Sequence, residues 1–144
     1  MAGIGTGGTI TGCGEVFKKR NPEIRIVAVE PKRSPILSGG EPGYHRIQGI
    51  GAGFVPQVLN RQIIDEIRQV DDETAWETSL ALARDEGILA GISSGAACSV
   101  AKTVARELGA GKTVVVIFPD SGERYLTFAE EFDTRGDIET RLGN

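Results

Sequence analysis

The stretch that decides the fold is Gly3-Ile4-Gly5-Thr6-Gly7-Gly8-Thr9-Ile10-Thr11-Gly12. It runs directly into a helical pattern, with apolar or small residues at Ile10, Cys13, Gly14 and Phe17, spaced i, i+3, i+4, i+7. Glycines ahead of a helix let several backbone N–H groups converge, because no Cβ blocks close approach. The first turn of a helix has unpaired N–H groups, and its dipole favours negative charge. Together these predict an anion cradle, whose usual guest is a phosphate. The competing reading, a flexible terminal tail, fits poorly. Tails rarely interleave threonine with glycine and then fall at once into helical register.

The chain has 144 residues and a formal net charge of −4, enough for one domain with a real core. The acidic balance and the lack of any basic run argue against a nucleic-acid surface. The most apolar run, residues 113–118, is too short to cross a bilayer, and the start lacks the features of a signal peptide. Cys13 and Cys98 fall on two different predicted helices and read as small packed residues, not as a disulfide or a metal pair. A soluble cytoplasmic protein with no metal site is the expectation. Phosphate loops normally hang from the C-terminal end of a strand, and only Met1 and Ala2 precede this one. That strand is expected to be missing or a stub, and the polypeptide to be a piece of something longer.

Outward from the loop, the first helix is predicted to end near Arg20, broken by Asn21-Pro22. Residues 24–29 read as a short buried strand, followed by Glu30-Pro31. Residues 32–56 are rich in glycine and proline without a sustained period, as functional or mobile loops are, with one helical turn predicted around residues 35–37. Residues 63–70 hold another strand, clearest at 67–70. Asp71 then caps a helix with Asp72 and Glu73 in its first turn, Trp76, Leu80 and Ala83 on its buried face, and Gly87 at its end. A second glycine-serine turn, Gly91-Ile92-Ser93-Ser94-Gly95, opens a helix that buries Ala97, Val100, Ala101, Val104 and Leu108 and stops at Gly109. Residues 113–118 are uninterrupted apolar and rich in β-branched side chains, as in a parallel strand covered on both faces. Pro119-Asp120-Ser121-Gly122 turns off its end, and beyond Tyr125 the chain grows polar and is expected to fray by Asp137.

Strands alternating with helices predict an α/β fold of three layers, a mainly parallel sheet with helices on both faces. A partial α/β domain spans residues 1–126 and a tail residues 127–144. In such a sheet the strand-to-helix turns line the carboxyl edge, where ligands bind. Three turns are placed there: residues 5–9, 91–95 and 119–122. The first suits a phosphate. The second offers Ser93 or Ser94 as a ligand hydroxyl or as a simple N-cap. Asp120 is either a turn former or a polar ligand contact. A dinucleotide reading competes, since Gly3-x-Gly5-x-x-Gly8 fits that fingerprint and Glu30 falls where a ribose-binding acid belongs. The absent preceding strand and the Thr-Gly-Gly-Thr crowding count against it.

Taken with three further strings, the loop resembles the cysteine synthase (O-acetylserine sulfhydrylase) family of fold-type II pyridoxal-phosphate enzymes. The strings are Ile47-Gln48-Gly49-Ile50-Gly51-Ala52-Gly53-Phe54-Val55-Pro56, Gly91-Ile92-Ser93-Ser94-Gly95-Ala96-Ala97 and Pro119-Asp120-Ser121-Gly122-Glu123-Arg124-Tyr125-Leu126. They follow the family's order and carry the resemblance from Met1 to about Leu126, which outweighs the dinucleotide reading. The resemblance implies that Gly5, Thr6, Gly7, Gly8 and Thr9 hold the phosphate of pyridoxal 5'-phosphate. It implies that Ser93 meets the pyridine nitrogen. A hydroxyl there makes the ring a weaker electron sink than a carboxylate would, which suits β-elimination. Gln48, Gly49, Ile50 and Gly51 are implied to line the substrate entrance and to move as the site closes. His45, just before them, is given no role.

The family's Schiff-base lysine stands in a Lys-Asp-Arg context, and its asparagine loop holds the substrate carboxylate. Neither is here. The lysines are Lys18, Lys19, Lys32, Lys102 and Lys112, none followed by Asp-Arg, so no catalytic residue is assigned. The resemblance thus implies the C-terminal portion of a cysteine synthase, with O-acetylserine and sulfide as substrates, a homodimer in the intact enzyme and serine acetyltransferase as a partner. The chain alone is expected to be inactive. Alternatives are a non-catalytic cofactor- or partner-binding module, or a piece of a related cystathionine β-synthase, threonine synthase or dehydratase.

Overall fold

The computed structural model of the chain describes residues 1–128. Most of the 127–144 tail, including the fraying expected at Asp137, lies outside the described residues. Three parallel strands stand in the order β1 (Ala2–Gly3), β2 (Val27–Pro31) and β3 (Glu66–Val70). Ala2 lies opposite Ala28, and Val27 opposite Glu66. The strand before the glycine loop is indeed a stub of two residues. Helices α1 (Gly8–Arg20), α2 (Asp72–Glu86) and α3 (Ile92–Leu108) complete the layers.

Every residue of β2 is buried, and its alternation feeds two cores. Ala28 and Ile26 join Ile4, Ile10, Leu37 and Leu59 on one face, with α1 contributing Ile10. Val29 faces the other way, to Val70 and to Ala96, Val100 and Val104 of α3. A sheet with a core on each face needs side chains pointing alternately up and down, and the apolar run of residues 26–29 supplies them.

Local chemistry sets the boundaries. The Asn21 N–H closes α1 on the Phe17 carbonyl before Pro22. Asp71 accepts the Thr74 N–H at 2.7 Å, and Gly87 ends α2 at φ 69°, where only glycine turns left-handed without strain. Between α2 and α3 the backbones all but touch. A Cβ on Gly95 would sit 2.1 Å from the Ala75 carbonyl oxygen and 2.7 Å from the Ser79 nitrogen.

Several expectations need correction. The second strand runs from Val27, not from Ile24, which is exposed. Glu30 and Pro31 extend it because they stay in register with Gln69 and Val70. Residues 35–37 form no helical turn; hydrogen-bonded turns close there instead, Gly39 N–H on Ile36 O and Gly40 N–H on Pro35 O. On α1 only Ile10 and Gly14 are buried, so Cys13 and Phe17 stand exposed. The buried face of α2 is Ala75, Ser79 and Leu82, and Leu80 is 48% exposed. That rotation follows from packing on Gly95, which needs small residues facing it. Leu108, at the end of α3, is exposed.

Residues 113–118 are not a strand covered on both faces. Val115 is 65% exposed, while Val114 packs on the core that holds Val29. The segment does lie beside the sheet: the Met1 amine donates to Val115 O at 2.9 Å and Ile117 N–H to Met1 O at 3.1 Å. These two bonds bracket Met1 as a parallel ladder would. The outer side carries no covering element among the described residues.

Two outcomes test this packing. Gly95→Ala is expected to cost about 1–3 kcal/mol through overpacking, read by urea unfolding. The hydrogen bond from Thr74 N–H holds the Asp71 carboxyl below its ordinary value. Such a group stabilises fully above its unfolded pKa, and the contribution is lost as pH falls through the folded one. Asp71→Ala should therefore cost about 0.5–2 kcal/mol at neutral pH, with the deficit closing as the medium is acidified below the usual carboxylate range. Paired unfolding curves across that range check it.

Candidate cofactor site

The glycine loop leaves the sheet where β1 ends. Ile4 N–H still donates to Val29 O at 3.0 Å, and Gly51 N–H to Ile4 O at 3.0 Å. Gly5 then passes so close to residue 49 that a Cβ on it would lie 2.4 Å from the Gly49 carbonyl oxygen. Gly7 caps α1 in the left-handed region, φ 83°, with no side-chain cap. The first helical bond is Thr11 N–H to Gly7 O, 3.0 Å, so the amides of Gly8, Thr9 and Ile10 lie ahead of it. Gly8 N–H meets only the Thr6 hydroxyl, at 3.4 Å. Thr6, Gly8 and Thr9 are exposed, and the first turn holds no acid. An anion could approach freely.

A cleft of about 280 Å³ opens in front of these amides, near the lower end of the roughly 300–1,000 Å³ of small-ligand sites. Gly5, Thr6, Gly7, Gly8, Thr9, Gly49, Ile50, Ser93, Pro119 and Asp120 all line it. Residues more than a hundred positions apart therefore meet in one place. Neither serine of the second turn is the N-cap. Gly91 holds that position, again with no side-chain cap. Ser94 is fully buried and its hydroxyl lacks a partner among the described residues. Ser93 is 4% exposed and faces the cleft.

The entrance segment divides. Gly49 and Ile50 line the cleft. Gln48 is exposed and outside the lining, and Gly51 turns away to bond Ile4 and, through its carbonyl, His45 Nε2 at 3.0 Å. His45 thus braces the loop. Arg46 anchors it from the other side: its N–H donates to Asp72 Oδ2 and its guanidinium to Glu73 Oε1, each at 3.0 Å. Asp72 is fully buried, so this first-turn acid of α2 is a tether. Sequence alone offered it only as a dipole partner.

Glu30 is no ribose-binding acid. It is 2% exposed and accepts the Leu37 N–H at 2.8 Å, the Ser38 N–H at 3.2 Å and the Ser38 hydroxyl. Also missed was Tyr125, whose hydroxyl donates to Asp120 Oδ2. Burial and that bond push the phenol up to about 12. The spacing of the two residues gave no signal, because a short 3-10 helix (Gly122–Phe128) bends the chain back. None of Lys18, Lys19, Lys32, Lys102 and Lys112 lines the cleft. Among the described residues no cluster could hold a metal ion, and no helix is long and apolar enough to cross a membrane.

A profile of pyridoxal-phosphate dependent enzymes matches residues 1–120. The chain belongs to that family. Within the family it is 59% identical over 127 residues to a cysteine synthase of Staphylococcus aureus, covering 88% of this chain and 41% of that one. It resembles the structure of an O-acetylserine sulfhydrylase, isoform 3, from Entamoeba histolytica, with TM-score 0.83 and 44% identity. There the match covers 87% of this chain and 38% of the other. An O-acetylserine-dependent cystathionine β-synthase from Helicobacter pylori aligns at TM-score 0.82 and 45% identity, over 88% and 41%. The chain thus spans about two fifths of the length of the relatives it matches.

For a member of this family, the fit of Gly5 against Gly49 should govern anion binding. Gly5→Ala is expected to weaken inorganic phosphate binding by about tenfold or more, equal to about 1.4 kcal/mol, with the circular dichroism of the helices retained. A calorimetric phosphate titration of both chains checks it.

Proposed function

We propose that the chain is the cofactor-phosphate portion of a pyridoxal-phosphate dependent cysteine synthase, which exchanges the acetate of O-acetylserine for sulfide. One observation carries the reading: Ser93 and the uncapped start of α1 line the same cleft. The residues suit the group. The free first-turn amides of α1 match a phosphate dianion, Gly5 and Gly7 leave no Cβ in its way, and the Ser93 hydroxyl stands where a ring atom could reach it.

On this reading Gly5, Thr6, Gly7, Gly8 and Thr9 bind the phosphate, and Ser93 orients the ring through its nitrogen. When bound, the cofactor supplies the electron sink that lets acetate leave and sulfide add at the same carbon. Gly49 and Ile50 close one wall against water, while Gln48 and Gly51 flank the entrance. The names of the Entamoeba and Helicobacter relatives both carry O-acetylserine, which supports that electrophile. Sulfide is the nucleophile in this reading, and a second thiol would make the chain a cystathionine β-synthase portion. A homodimer, docking of serine acetyltransferase and a cytoplasmic location with the free thiols Cys13 and Cys98 complete the proposal.

The chain alone should show no turnover. With pyridoxal 5'-phosphate it should develop no Schiff-base absorbance band of a specific lysine, and with O-acetylserine and sulfide no cysteine. A stoichiometric band or measurable cysteine would overturn the assignment of this chain as a portion lacking the nucleophile.

A further inference from the structure

A glycine permits the left-handed turn at Gly7 but does not enforce it, because glycine takes positive and negative φ about equally readily. Gly7 stands at φ 83°, and the directions of the amides that follow depend on that angle. Something outside the glycine has to hold it there. The contacts around it converge on Thr11, which lies outside the residues assigned to the phosphate. Thr11 holds Gly7 from two sides. Its backbone N–H donates to the Gly7 carbonyl at 3.0 Å. Its hydroxyl donates to the Val58 carbonyl at 3.2 Å and accepts the Asn60 N–H at 3.0 Å, so it binds the peptide groups on either side of Leu59. Leu59 is buried in the core cluster of Ile4 and Ile10. Fixed between those two bonds, it covers the face of Gly7 that a side chain would occupy: a Cβ on Gly7 would fall 2.8 Å from both Cβ and Cδ1 of Leu59. One turn along α1, Glu15 accepts the Asn60 side-chain N–H at 2.8 Å. Positions 11 and 15 share a helix face, so the chain around Asn60 is fastened along α1, and the fastening nearest the cradle is the Thr11 hydroxyl.

We propose that Thr11 is a positioning residue for the phosphate cradle. Its hydroxyl seats Leu59 on Gly7, which keeps the turn left-handed and aims the Gly8 and Thr9 amides at the anion. The inference rests on the proposed cofactor reading and deepens it, since the cradle is the one that takes the cofactor phosphate. Hydrogen bonds weaken steeply as the N–H turns away from its acceptor, so a small rotation at Gly7 lowers affinity without unfolding the helix. Neither Thr11 nor Leu59 lines the cleft. Loss of the hydroxyl therefore reaches the anion only through Gly7.

The probe is inorganic phosphate, titrated calorimetrically into the full chain. Thr11→Val keeps the side-chain shape and loses the hydroxyl, and should weaken phosphate binding about tenfold, with the circular dichroism of the helices retained. Thr11→Ser keeps the hydroxyl and should bind within about twofold of the wild-type chain. Asp71→Ala, which removes the cap of α2 away from the cleft lining, should bind phosphate as the wild type does, although it too is less stable. The wild-type chain supplies a readout that needs no variant. Coupling between sites is reciprocal, so saturating phosphate should slow hydrogen exchange at the Asn60 N–H more than at the Thr74 N–H. Thr11→Val binding phosphate as tightly as the wild type overturns the inference. So does Thr11→Ser binding as weakly as Thr11→Val, and so does equal slowing at Asn60 and Thr74. A folded wild-type chain that takes up no phosphate overturns the cofactor reading itself, and this inference falls with it, a result distinct from the other three.

Discussion

Two helices of this chain begin at the same cleft without a side-chain cap, and the rest of the site depends on that shared deficit. α1 starts at Gly7 and α3 at Gly91, each lacking the Ser, Thr, Asp or Asn contact that satisfies first-turn amides. The contrast with α2 is informative. Its N-terminus opens away from the cleft lining and carries an ordinary cap in Asp71, with two acids in its first turn. Capping is therefore not beyond this sequence; it is absent at the two helix starts beside the cleft. Water can serve the exposed amides of Gly8 and Thr9 in the free chain, so the deficit is tolerable until something better arrives.

The irregular segment between β2 and β3 frames that opening, and two buried acids hold it in shape. Glu30, at the end of β2, gathers two backbone N–H groups and the Ser38 hydroxyl, pinning residues 37–38 against the sheet. Asp72, at the start of α2, takes the Arg46 N–H and stands within 3.7 Å of its guanidinium. Between these anchors the chain delivers the Gly49 carbonyl against Gly5 and the Ile50 side chain into the cleft wall. Each acid gives backbone donors charge-assisted bonds worth roughly 1.5–3 kcal/mol apiece, although Asp72 Oδ1 stays buried without a partner among the described residues. The loop is consequently a framed wall, although its glycines at φ 87° and 69°, Gly49 and Gly51, leave it backbone freedom.

Much of this was legible in the sequence, for reasons that differ by residue. The caps at Asp71 and Gly87 and the break at Asn21 are local chemistry, so they appeared where the letters put them. The meeting of the glycine loop with Ser93 was legible only because parallel α/β topology sends strand-to-helix turns to one edge. The buried faces of α1 and α2 were not legible. Periodicity marks every apolar residue, but only packing says that Gly14 meets Ile63 while Cys13 does not, or that Gly95 requires Ala75 opposite and turns Leu80 outward. Residues 113–118 misled for a related reason. Their β-branched run records a preference for burial, and whether both faces are covered depends on neighbours far away in sequence. The roles of Glu30, Asp72 and Tyr125 rest on long-range hydrogen bonds, which leave no periodic trace.

Magnitudes say which part of the cradle does the holding. The dipole of one helix contributes about 0.3–1 kcal/mol toward an anion at an exposed N-terminus, and salt screens even that. A direct hydrogen bond to a charged group contributes about 1.5–3 kcal/mol, and three first-turn amides offer several. Amide direction therefore outweighs the field. Direction is what Gly5 and Gly7 secure, one by allowing the Gly49 carbonyl within touching distance, the other by its left-handed turn against Leu59. The amides at the α1 end of the cleft are therefore set by backbone geometry, while the Ser93 hydroxyl in the same lining brings no charge of its own.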